Sequence, residues 1–359
     1  MRKVVCLFLL ILLLLPQEVF AAELPKEVLE IADRRTERIV HEMESWDAAD
    51  FFDGVFEILR TLRPELERQL RTSVKSAVLL LLVVLLASLS SSVMEGVGGD
   101  RFDPTSLAAV FCMSGIALKD LSGLMQTAVK TMSELEAFSK ALFPVLAAAM
   151  AATGAVSAAS VHQVVTVWLC SMLIWVISTL LFPFLTVYVA LAAVSAALPG
   201  NSLSALAEGI KKAVSWVLTA SVSAFTAYLS AAHVISGSAD ALTLRMTRAT
   251  LSGAIPVVGS ILSGTAETVL AGAGIMKNAV GIVGLLGVIS LAMLPFLSLL
   301  LQYLACRVAA VAAAAADGGR LSGYLGQLSG AFGLLLAMVG VAALFVLISV
   351  FASVAVVMP

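Results

Sequence analysis

Charge is what this chain most lacks. Only 13% of its 359 residues are Asp, Glu, Lys or Arg, about half the share of an ordinary soluble domain. From Ala141 to Ala207 there is none at all. Histidine is almost absent too: His41, His162 and His233 lie far apart, and no HExxH or Cys/His cluster offers the ligand spacing of a zinc site. The four cysteines (Cys6, Cys112, Cys170 and Cys306) are scattered without a CxxC pair, which reads as small apolar thiols rather than a disulfide framework. No Walker A sequence and no GxSxG occur, and Gly272-Ala273-Gly274 lacks the third glycine of a dinucleotide turn. These absences argue against an enzyme, and neither a metal nor a cofactor is expected. No basic patch with interleaved aromatics is present, so nucleic acid is not an expected partner.

What is present is apolar length. Hydrophobic residues make up 60% of the chain and the mean hydropathy is +1.03. Several runs approach or exceed the ~20 residues that cross a bilayer as helix. The expected fold is therefore all-α: a polytopic helical membrane protein of about seven or eight spans, with a possible re-entrant segment.

Residues 1–22 read as a signal peptide. Arg2 and Lys3 precede an apolar run from Val4 to Leu15, Pro16 breaks it, and small residues follow at Ala21 and Ala22. Cleavage after Ala21 or after Ala22 fits, and so does an uncleaved anchor, because Glu18 lies near the site. Residues 23–74 form the only soluble-looking part and read as an extracytoplasmic amphipathic helical region. Between Glu23 and Arg71 it carries 13 acids against 8 bases. Val28, Ile31, Ile39, Met43 and Trp46 recur at helical spacing, and so do Phe52, Val55, Phe56, Leu59 and Leu62 after a break near Asp47. Pro64 suits the first turn of a third helix. Such short stripes pack on each other, on the membrane surface or on a partner.

Residues 75–359 read as the multi-span domain. Ser76–Met94 is a leucine-rich span. Residues 105–138 read as interfacial or shallowly inserted helix, and Ala141–Ser160 as a small-residue span followed by a turn at His162-Gln163. Val164–Leu198 is too long for one span and reads as two, bent near Phe182-Pro183-Phe184. A polar helix, Ser204–Lys212, then precedes a span at Ala213–Ile235. A long apolar helix, broken near Pro295, ends at Arg307, and a last span lies between Leu325 and Pro359. Positive-inside counting does not set the orientation, because Lys211/Lys212 and Arg245/Arg248 flank what reads as one span.

The most unusual stretch is Leu251–Gly287. It holds eight glycines, Pro256, Glu267 and Lys277 in otherwise apolar sequence. Glycine permits close helix approach, and glycine with proline permits broken helix. A carboxylate at membrane depth must face protein or water. Pro256, Gly259, Glu267, Lys277, Asn278 and Gly281 are thus the candidate residues, either for close packing or for lining a passage. Lys277 is ten residues beyond Glu267, ~15 Å along a straight helix. A direct pair would need the chain to fold back between Gly272 and Gly274.

The runs Ile255-Pro256-Val257-Val258-Gly259, Glu267-Thr268-Val269-Leu270 and Lys277-Asn278-Ala279-Val280-Gly281, with Pro295 beyond, resemble the stage III sporulation protein AE family. The order of leader, charged ectodomain and spans is similar as well. The resemblance implies a sporulation role in the mother-cell membrane around the forespore, within a channel or secretion-like complex joining the two cells. It implies as partners the other stage III A operon proteins, among them an ATPase and ring-forming components, and stage II sporulation protein Q through the complex, besides membrane lipid. Read without the resemblance, broken helices with polar groups fit a rival of another class, a stand-alone secondary transporter or permease for a small solute.

Overall fold

The computed structural model describes residues 48–95, 104–152, 156–197, 203–228, 259–316 and 319–355. All of them except Gly319 are helical. In chain order the helices are α1 (Ala48–Glu95), α2 (Pro104–Ala152), α3 (Val156–Val176), a π-helical turn (Ile177–Leu181), α4 (Phe182–Ala197), α5 (203–228), α6 (Gly259–Ala316) and α7 (Arg320–Ala355). The expected signal peptide, the start of the ectodomain and residues 229–258 lie outside the described residues.

Among the described residues, five stretches are long and apolar enough to cross a membrane, against the seven or eight expected: Phe52–Ser91, Leu107–Ala152, Val164–Ala197, Ala279–Ala315 and Leu321–Val354. They differ sharply in burial. The most apolar window of the last is 83% buried, against 28% for each of the first two. α7 is therefore the axis of the bundle, with α6 antiparallel beside it and the other helices around this pair. Met338, Val339, Ala342 and Val346 of α7 are fully enclosed. A helix apolar on every side, like α7, is stable only when surrounded in this way or placed in lipid.

Several helices run longer than their sequence suggests, and prolines explain part of the difference. α1 is one helix of 48 residues, about 70 Å long. It joins the charged region to the first span instead of starting a third helix at Pro64. Pro64 lies on the exposed side of α1, where water can satisfy the carbonyl that its missing N–H leaves free. Val55, Ile58 and Leu62 of the charged half are buried in the main core, so this part packs on the bundle.

α2 is likewise continuous, and it replaces both the shallow helices expected at 105–138 and the separate span expected at 141–160. Its buried stripe (Met113, Ala117, Leu121, Ala128, Met132, Leu135, Leu142 and Leu146) holds helical spacing from one end to the other, across Pro144, which lies on the exposed side. His162 and Gln163 sit inside α3, not in a turn. The polar stretch after Leu203 and the apolar one after Ala213 are one helix, α5. α6 passes through Pro295 and Arg307 to Ala316. There the following residue, Phe296, packs 3.1 Å from where a Cβ on Gly340 would lie, so α7 supports the helix across the proline.

Val164–Ala197 is one candidate span rather than two, and the irregularity near Pro183 is a π turn just before it. The Phe182 N–H bonds to the Ile177 carbonyl, five residues back. Pro183 has no N–H, and its ring crowds the preceding turn, so a widened turn absorbs the mismatch.

Candidate functional site

Of the candidates named from the sequence, Pro256 lies outside the described residues. Gly259 opens α6, and Glu267, Lys277 and Asn278 lie on its helical backbone; their side chains are outside the described residues. α6 is unbroken through Gly272 and Gly274, without the fold-back that a direct pair of Glu267 and Lys277 would need. Glu267 and Lys277 therefore stand ~15 Å apart along one helix.

Gly281 is buried, and it starts a seam. A Cβ on Gly281 would collide with Val354 of α7. One on Gly284 would sit 2.7 Å from Leu142 Cδ2 and 3.2 Å from Val350 Cγ1, and one on Gly287 would meet the ring of Phe138. Three glycines three residues apart thus bring α6 against both α7 and α2, as small residues do at membrane helix contacts.

Toward the other end of the bundle, polar side chains close in pairs between helices. Ser114 of α2 and Tyr324 of α7 share a hydrogen bond of 2.7 Å. Gln302 of α6 donates to Asp120 of α2 at 3.2 Å. The Tyr188 hydroxyl of α4 donates to the Gln327 carbonyl at 3.0 Å. These residues do not stand out in the sequence. The signal available there is a lone Gln302 in an apolar run and an Asp120 whose only near cation is its chain neighbour.

A slot of about 450 Å³ opens between α5, α6 and α7. Lys211 and Arg307 line it, together with Ser215, Thr219, Tyr303 and the glycine-rich side of α7. The Lys211 ammonium crosses α7 over Gly330, 3.5 Å from where a Cβ there would be.

The outer surface is divided. On α2, Lys119, Ser122, Gln126, Thr127, Lys130, Ser133 and Lys140 point outward, interspersed with the exposed apolar Phe111, Leu118 and Val129. Lys130 pairs with Glu134 at 3.6 Å and Lys140 with Glu136 at 2.6 Å. On α3 and α4 the outward residues are Val164, Trp168, Met172, Trp175, Phe184 and Val187. The two surfaces meet at one level: Ser122, Gln126 and Lys130 of α2 line one cavity with Thr186 of α4, beside Leu118, Met125 and Val129 of α2. A polar surface thus stands level with an apolar one.

Such a bundle, with several helices of spanning length and one polar outer side, is that of a polytopic membrane protein. The family model for Stage III sporulation protein AE matches residues 35–357. The chain belongs to that family, and membership implies a role in sporulation. It is 26% identical over 169 residues to Stage III sporulation protein AE of Bacillus subtilis (strain 168), a stretch covering 47% of this chain and 42% of that relative. The matched part is thus less than half of the relative's own length. No solved structure matches.

Proposed function

We propose that this chain is a membrane subunit of a channel or secretion-like complex that joins mother cell and forespore during endospore development. In this reading it lies in the mother-cell membrane around the forespore. It works beside the other stage III A operon proteins, an ATPase and ring-forming components among them, and reaches stage II sporulation protein Q through the complex. It contributes no catalytic step of its own.

The supporting observation is the divided outer surface. Charged side chains facing hydrocarbon cost at least ~2.5 kcal/mol each near the bilayer centre. Lys130 is 78% exposed, while Phe184, two residues from the Thr186 that lines the same cavity, suits lipid. A monomer surrounded by lipid has no use for the α2 surface. A subunit whose α2 borders a water-filled passage, with α3 and α4 toward lipid, accommodates both.

Tagged protein recovered from sporulating cells tests this reading. The expected result is co-purification of the ATPase and ring components, and their loss when Lys130 and Glu134 are both replaced by Leu. Recovery of the tagged chain alone, in cells that make the other components, would sink the proposal.

A further inference from the structure

We propose that the slot between α5, α6 and α7 binds an anionic phospholipid, with the phosphate at Lys211 and Arg307 and one acyl chain along α7. The two cations stand at the same end. Lys211 lies over Gly330, and Arg307 lines the slot with Gly326 and Ser329. Among the described residues neither of them forms an ion pair, and the nearby carboxylate of Glu208 is engaged by Lys212 at 3.9 Å. The hydroxyls of Ser215 and Tyr303, each one helical turn from a cation, add donors around them. Two cations with no carboxylate partner among the described residues, set among hydroxyls, suit a phosphate monoanion or diester.

From this end the slot runs along α7 from Gly326 to Val341 and becomes mainly apolar, with Val222, Leu334 and Ala337 as walls beside the hydroxyls of Thr219 and Ser223. Fifteen residues of helix extend ~22 Å, which covers the ~15 Å half-thickness of a bilayer's hydrocarbon. The floor is open because α7 presents glycine: a Cβ on Gly326 would meet nothing within 4 Å. The cationic end also lies where α5 changes from Glu208, Lys211 and Lys212 to the uncharged run beginning at Ala213, the position expected of a headgroup boundary. Basic pockets between membrane helices recognise acidic headgroups by this combination. A free phosphate would use the cations and leave the apolar length empty, so an amphiphile fits better. Lipid capture here does not depend on what the complex carries.

The test uses the full chain purified in a neutral detergent, with thermal unfolding followed as phosphatidylglycerol, phosphatidylcholine or inorganic phosphate is added. Phosphatidylglycerol should raise the midpoint at micromolar-to-millimolar lipid, and the other two should not. In Lys211→Gln/Arg307→Gln the concentration needed should rise about tenfold or more, since two charge-assisted contacts are lost. Lys211→Arg/Arg307→Lys keeps the charges and should respond like the wild type, which separates loss of binding from loss of fold. Gly326→Leu keeps both cations but fills the slot, and it should also abolish the response. An equal response to phosphatidylcholine would reduce the effect to bulk lipid. A response to phosphate alone would make the slot a free-anion site. An unchanged response in the double Gln variant would place the lipid elsewhere. Each of these three results overturns the proposal.

Discussion

Gly287→Ala should destabilise the bundle although alanine is the better helix former. In an exposed helix the exchange gains ~1 kcal/mol. At Gly287 the new methyl would lie 2.9 Å from Phe138 Cε2 and 3.2 Å from Cε1, with Cζ nearer still. An aromatic ring that is itself 5% exposed cannot rotate clear as one leucine methyl can. Overpacking of this kind costs ~1–3 kcal/mol, so the net expectation is a loss of about 1 kcal/mol. Gly284→Ala meets Leu142, a flexible side chain, and should be close to neutral. The informative comparison is with the double variant Gly287→Ala/Phe138→Leu. Removing the ring makes room for the methyl, so the pair should be more stable than the sum of the single changes by about 1–2 kcal/mol. The assay is unfolding of the purified protein in mixed detergent micelles, with near-native helicity checked before titration. Additive single changes, or a Gly287→Ala variant more stable than the wild type, would refute close approach of α6 and α2 at this level.

Three other outcomes are expected. Tyr324→Phe removes the bond to Ser114 from a ring that is 1% exposed and should cost about 1 kcal/mol in the same unfolding assay. Asp120→Leu leaves the buried Gln302 amide without its carboxylate and should cost ~1–3 kcal/mol, whereas Asp120→Asn should cost less. Glu267→Gln should leave the protein level near normal and lower spore counts if its charge serves passage or a subunit contact; normal spore counts for both Glu267→Gln and Glu267→Leu would make the residue a bystander.

The class of fold was legible because composition and run length depend on the solvent, and a bilayer leaves only helices or barrels to choose from. The helix limits were less legible. Pro64, Pro144 and Pro295 all lie inside helices, since water or a packed neighbour supplies what each proline removes. Pro183 did mark an irregularity, yet the chain answered with a π turn and kept going. Close packing at Gly281, Gly284 and Gly287 could be read from their spacing, because small residues leave one physical use. The slot could not be read in the same way. Lys211 and Arg307 are 96 positions apart, and each alone looks like an ordinary charge at the end of an apolar run. The outward polarity of α2 was visible as an amphipathic stretch. Its depth was not, because depth is set by which residues of α4 stand beside it.

The central claim is that the α2 surface meets water at a depth where α4 meets lipid. Single cysteines at Gln126 and at Phe184, in a chain with Cys112 replaced by serine, test it directly in sporulating cells with a membrane-impermeant thiol reagent. Labelling of Gln126→Cys with protection of Phe184→Cys is the predicted result. Labelling of both would put this depth outside the bilayer, and protection of both would seal α2 against protein or lipid; either result would contradict an aqueous passage along α2.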